Sequence, residues 1–289
     1  MSSPLPTLDT LRREIDEIDD AIHNLLMRRC RLVEQIGRVK ANSGPAMKPA
    51  REAMILRRLA ARHEGDFPIP VLLRMWREML AGTKLLQGPL AVAVGTQDAG
   101  RGLWDMARDH YGSTVPTTAM QGPMQALRAV MDGRATVAVL PLPDDDEVDP
   151  PWWTALMSRD PRTPRIVERL PFLVPEGADG HSTAFSVALA TPEPTGDDHA
   201  FLAIELAEDT SRGRIKDLMT ASGLPPVAYW NYDRSRSGEA PLLLVEVADF
   251  VGEDDPRLAT LAEKLGAVGQ RVQPIGCYPV PLRPGSAHD

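Results

Sequence analysis

Cations that interrupt an apolar stripe are the first residues here whose placement suggests chemistry. Arg29 and Lys40 stand eleven residues apart, in a segment that brings Leu25, Leu32 and Ile36 round at three-to-four spacing. Eleven helical residues turn through about 1,100°, only about 20° beyond three full turns, so the two cations share a face. One long cation on such a face snorkels to water. Two in line call for anions, because a buried cation without a counter-charge is costly. Arg51-Glu52 opens a second helical stretch, and Thr83 with Gln87 forms an i,i+4 pair on a third. Taken singly, each reads as an exposed polar residue. Together they would set cations, one carboxylate and neutral hydrogen-bonding groups around one cavity inside a helical bundle. That chemistry suits a small polyanionic ligand carrying a hydroxyl.

The elements that must hold these residues follow from periodicity. Thr7 or Asp9 can cap a helix running to about Lys40, with Leu11, Ile15, Ile18, Ile22, Leu25, Leu32, Ile36 and Val39 on one stripe. Such a helix is about 50 Å long at 1.5 Å per residue, far beyond the usual three or four turns. Asn42-Ser43-Gly44-Pro45 ends it. A second helix begins at Pro49 and carries Met54, Ile55, Leu56 and Leu59, and a third follows Pro68-Ile69-Pro70 with Leu72, Leu73, Trp76, Met79 and Leu80. Two short helices cannot cover so long a stripe. The unit is therefore expected to complete its core with a second copy of itself.

The whole chain bounds the partners. Its 289 residues give a prior of about two domains, and 32 Lys+Arg against 40 Asp+Glu leave a net charge of −8. No nucleic-acid footprint, membrane span or secretory leader is read from it, and Cys30 and Cys277 alone make no disulfide framework, so a cytoplasmic protein is expected. Residues 1–88 are mildly basic, net +4, and residues 89–289 carry −12 and most of the prolines, which puts a boundary near Gly88-Pro89. Asp144-Asp145-Asp146-Glu147 reads as a solvated loop rather than a metal site, and Gly100-Arg101-Gly102 is too short for a dinucleotide loop. The Trp152-Trp153 pair reads as packing. Beyond residue 88 the chain reads as α/β, with strands at 90–94, 136–141, 186–190, 201–205 and 242–247. Helices are expected at 102–110, 122–131, 213–221 and 257–266, and the last elements suggest a βαββαβ unit.

Three blocks then carry a resemblance. Leu11-Arg12-Arg13-Glu14-Ile15-Asp16-Glu17-Ile18-Asp19, the run from Arg28 to Lys40 and Pro49-Ala50-Arg51-Glu52 resemble, in order, the all-helical chorismate mutase family over residues 5–88. The resemblance implies an intertwined homodimer that rearranges chorismate to prephenate, with no metal, nucleotide or other cofactor. It implies that Arg12 reaches the partner's site, while Arg29, Lys40, Arg51, Glu52 and Gln87 complete a site in their own subunit. Arg12 and Arg29 are assigned to the carboxylates, Lys40 and Gln87 to the ether oxygen, Glu52 to the ring hydroxyl and Arg51 to the polar network around it. Thr83 stands where the family often has a small hydroxyl residue. Lys48 stands where many members carry Asp, which alters pocket charge or the hydroxyl contacts.

The remainder resembles, more distantly, the prephenate dehydratases. Val139-Leu140-Pro141, Glu168-Arg169-Leu170 and His181-Ser182-Thr183-Ala184-Phe185 are similar to dehydratase segments. Residues 241–247 and Val272 to Pro279 resemble the ACT regulatory domain that ends them. The family's last catalytic-domain motif reads Asn-Phe-Thr-Arg-Phe; here His181 replaces the Asn and Ala184 the Arg, and the span from Pro89 to His181 is about half the expected length. The expected organisation is a helical mutase unit (1–88), a shortened α/β dehydratase-like region without dehydratase activity (89–181) and an ACT-like α+β domain (182–289). Also open on these residues are a bifunctional mutase–dehydratase, a non-catalytic regulatory subunit, and an isochorismate pyruvate lyase on the same helical fold.

Overall fold

The computed structural model describes residues 6–39, 47–96, 101–144, 150–158, 160–174, 177, 183–207, 211–234, 239–266 and 269–283. Helix α1 runs over Leu8–Val39, and its first turn is capped by the Thr7 hydroxyl, which accepts from the Thr10 amide at 3.3 Å. None of its 32 residues is buried. Helix α2 (Pro49–Ala61) starts on a proline and α3 (Ile69–Leu85) has Pro70 in its first turn, where a missing amide proton costs nothing. The inner faces of α2 and α3 pack Ala53, Leu56 and Leu73 against Phe172.

The rest of the chain builds one nine-stranded mixed sheet in the order β2-β1-β3-β5-β4-β9-β6-β8-β7. Strand β1 (Val92–Thr96) lies parallel to β2 (Thr117–Gln121) and to β3 (Val137–Pro141), with α4 (Arg101–Tyr111) and α5 (Pro123–Met131) as crossovers. Strands β4 (Arg165–Leu170) and β5 (Ala184–Ala188) then run antiparallel to each other, β5 also against β3. The C-terminal elements are β6 (Asp198–Leu206), α6 (Arg212–Ala221), β7 (Pro226–Tyr232), β8 (Leu242–Val247), α7 (Pro256–Leu265) and β9 (Gly269–Pro279). They give a βαββαβ succession with antiparallel order β9-β6-β8-β7.

The two halves of the sheet join where β4 meets β9 in parallel, with Ile166 opposite Gly276. A Cβ at Gly276 would stand 2.3 Å from the Ile166 carbonyl oxygen, so no other residue fits this seam without displacing backbone. Trp152 and Trp153, each 1% exposed, sit in a short 3-10 helix (Trp152–Met157) within the core, as packing residues do. The strand expected at 186–190 lies at 184–188. Strands β2 and β4 had no counterpart among the expected elements, while β7 and β9 were expected only as unplaced strands of the βαββαβ unit. Among the described residues no helix is long and apolar enough to cross a membrane.

Candidate active site

The structure divides the sequence-predicted residues into two groups around α3. The first lies where α1 crosses the end of α3. Arg29, half-buried, donates from Nη1 to Thr83 Oγ1 at 3.2 Å, while the Thr83 hydroxyl donates to the Leu80 carbonyl at 3.0 Å. That second bond turns the oxygen's lone pairs toward the guanidinium. One turn on, Gln87 Nε2 donates to the Val33 carbonyl at 3.4 Å, and a Cβ on Gly37 would lie 3.5 Å from the Gln87 side chain. Burial works against the Arg29 charge, and its anionic neighbour Glu52 favours it.

Glu52 belongs to the second group and is 7% exposed. Lys84 Nζ stands 2.9 Å from its Oε1 and Arg77 Nη1 3.4 Å from its Oε2. Arg77 continues to Glu168 of β4 at 3.7 Å, and Glu168 is in turn held by His110 Nε2 at 2.8 Å and by the Tyr111 hydroxyl at 2.6 Å. Tyr111 also stands 2.6 Å from the Ser186 hydroxyl. A buried polar chain thus runs from the helices into the sheet, with its two carboxylates matched by Arg77 and Lys84. Lys84 Nζ also sits over the Tyr111 ring, 5.6 Å from its centroid.

The remaining residues are not gathered in a single chain. Arg12 is exposed and 3.8 Å from Asp9, Lys48 pairs with Glu193 at 2.6 Å, and Arg51 is exposed. Lys40, His181 and the loop from Asp145 to Glu147 lie outside the described residues. Arg77, Lys84 and His110 were missed by sequence reasoning. A signal existed: Leu73, Arg77, Leu80, Ala81 and Lys84 form one buried stripe of α3, so the two cations violate it as Arg29 violates that of α1. Among the described residues no group of three or more His, Cys, Asp or Glu side chains converges as a metal site would.

The buried chain sets a pH dependence. Burial opposes the Glu168 charge, but the proximity and hydrogen bond of His110 and the charges of Arg77 and Lys84 overcome it and hold the carboxyl at about 2. His110 is pushed below its ordinary value by burial and then by Arg77. An unfolded Glu takes its proton near about 4.3 and an unfolded His near about 6.5. In both cases the unfolded chain binds protons first, so stability falls with acidification. The loss begins below about pH 6.5 for His110 and, for Glu168, grows from about 4.3 down to 2. Thermal melts across this range should show a steeper acid decline in the unaltered chain than in Glu168→Gln. Parallel declines would contradict the assignment.

Residues 11–88 match the family described as chorismate mutase type II. The chain carries a chorismate mutase domain. The bifunctional chorismate mutase/prephenate dehydratase of Stutzerimonas stutzeri is 29% identical over 147 residues, 48% of this chain and 40% of that protein. Its counterpart from Neisseria gonorrhoeae is 30% identical over 146 residues, 49% of this chain and 40% of that one. The match thus spans about two fifths of the length of these curated relatives. Among solved structures, a prephenate dehydratase from Arthrobacter aurescens in complex with L-Phe is 13% identical, with a TM-score of 0.47 over 66% of this chain and 90% of that one. The mutase domain is followed here by the large mixed-sheet α/β region.

Proposed function

We propose that the mutase domain rearranges chorismate to prephenate, working as a homodimer built on α1. The observation that carries this reading is the Arg29–Thr83 contact beside Gln87, within a segment that matches the mutase family. The reaction is intramolecular and needs no proton transfer, so the protein must select a conformer and stabilise developing charge. Arg29, with Arg12 of a second copy, holds the two carboxylates and fixes the compact diaxial form. Negative charge grows on the ether oxygen as the C–O bond breaks, and Lys40 and Gln87 donate to it. Gln87 is suited because its amide donates at any working pH. Glu52, paired with Lys84 and Arg77, accepts from the ring hydroxyl, and Arg51 orients it. Purified protein should consume chorismate, read as loss of its conjugated near-ultraviolet absorbance, and yield prephenate. No turnover above the uncatalysed rate would refute the proposal.

An uncovered surface supports the dimer. Leu11, Ile15, Ile18, Ile22, Leu25, Leu32 and Ile36 are all between 41% and 63% exposed along α1. Seven large apolar side chains in a row exceed what a monomer leaves in water. A second copy offers the same stripe, so self-association buries both and brings Arg12 to the other subunit's Arg29. Light scattering should give twice the chain mass at micromolar concentration; an active monomer there would rule out a shared site.

We assign the α/β region after residue 88 to a shortened dehydratase-like segment, 89–181, and an ACT-like domain, 182–289, without dehydratase activity. The antiparallel βαββαβ order of β6 to β9 supports the ACT-like reading. The fully buried Ala184 of β5, where the dehydratase motif has Arg, supports the loss of activity. Prephenate should not be converted to phenylpyruvate above its acid-catalysed background. Measurable conversion would instead favour the bifunctional activity for which the relatives are named.

A further inference from the structure

Behind the buried polar chain lies a cavity of about 220 Å³ between α2, α3, α4 and the segment after β4. Leu56, Leu73, Met106 and Phe172 supply apolar wall, and Arg77 and His110 line it as well. The ion pair of Arg74 with Asp109, both exposed, belongs to the same lining and is neutral as a unit. Arg77 is the informative residue. It is 6% exposed, and its guanidinium lies 5.3 Å from the Phe172 ring centroid. Only its Nη1 is engaged, with Glu52 and Glu168; Nε and Nη2 make no hydrogen bond among the described residues. A guanidinium presents five donors in a rigid planar fork, so two idle nitrogens beside an apolar cavity form a receptor for a planar acceptor.

We propose that this cavity binds a small monocarboxylate with an aryl or similar apolar body, its carboxylate on Arg77 and its body against Leu56, Leu73, Met106 and Phe172. Size, charge and shape each narrow the ligand. A cavity of about 150 Å³ holds benzene, so 220 Å³ takes a six-membered ring with a short tail. Glu52 and Glu168 already balance Arg77 and Lys84, so each added negative charge is unpaired and a monoanion is tolerated better than a dianion. The carboxylate matches the fork in two parallel hydrogen bonds, which a hydroxyl cannot do. The site adjoins the proposed rearrangement site through the Arg77–Glu52 pair but takes its ligand on guanidinium nitrogens which that pair leaves free, and it does not rest on that reaction.

The test is calorimetric titration of the full chain with 3-phenylpropanoate, and with 3-phenylpropan-1-ol as the analogue lacking the carboxylate. The acid should bind saturably, one per chain, and at least tenfold more tightly than the alcohol. Arg77→Lys keeps the charge but loses the fork, and should weaken the acid tenfold or more. Met106→Trp fills the cavity without touching the charges and should remove binding. No heat of binding at millimolar acid, equal affinity for acid and alcohol, or unimpaired binding to Met106→Trp would each overturn the proposal. The acid–alcohol comparison uses the unaltered chain, so it decides the matter even if a variant fails to fold. Because no turnover is read, failure here leaves the rearrangement untouched, and an inactive mutase leaves this site standing.

Discussion

Arg29→Ala should lower kcat/KM for chorismate about 10²- to 10³-fold, the scale of one lost charge-assisted donor in a closed site. The loss should appear in KM as well as kcat. The carboxylate assigned to Arg29 is charged in both the ground and transition states, so part of its contribution is uniform binding and part is orientation. Gln87 and Lys40 should behave differently, because their target acquires charge only as the ether bond breaks. Lys40→Ala should reduce kcat about 10²-fold or more with a smaller change in KM. Gln87→Glu should be active only where the new carboxyl is protonated, with activity falling as pH rises. Steady-state kinetics over a pH series separate these cases. Wild-type kcat in Lys40→Ala, or a flat profile in Gln87→Glu, would remove these residues from the ether oxygen.

The second large effect concerns folding. Arg77→Met should destabilise the chain by about 3–5 kcal/mol, the cost of leaving buried carboxylates without their cation. For a chain of this size that corresponds to a fall of about 6–20 °C in melting temperature. Glu52 and Glu168 are 7% and 5% exposed, so neither can turn to water for relief. Adding Glu168→Gln to Arg77→Met removes one stranded charge and should recover part of the loss, a non-additivity expected of contacting groups. A drop below about 1 kcal/mol, measured by denaturant titration, would show that solvent enters this region freely.

What could be read from residues alone was whatever depends on local period. The stripe of α1, the prolines that open α2 and α3, and Arg29 among apolar neighbours all belong to one segment, and one segment's periodicity exposes them. Glu52 was identified as a carboxylate at a helix start, but its partners were not, because Lys84 and Arg77 reach it from another helix. Glu168 is farther still. Its tie to Arg77, His110 and Tyr111 exists only when β4 is laid in the sheet beneath α3 and α4. Strand β9 was expected only as the closing strand of the βαββαβ unit, without bounds, for a related reason. Pro274 and Gly276 argue against an interior strand locally, yet the sheet accommodates them through a shifted register against β6 and close contact with β4.

That contact at Gly276 also bears on how the two halves of the sheet are coupled. A hinge needs slack backbone, and here the space a side chain would take is already filled by the Ile166 main chain. The mixed half of the sheet and the βαββαβ half therefore meet backbone against backbone at their seam, with no side chain between them at Gly276. The helices grip both sides of that seam: Arg77 of α3 reaches Glu168 of β4, and Arg57 of α2 donates to the Asp197 and Val280 carbonyls that flank β6 and β9. A displacement on either side of the seam is thus felt by the helical unit through its own pair of arginines.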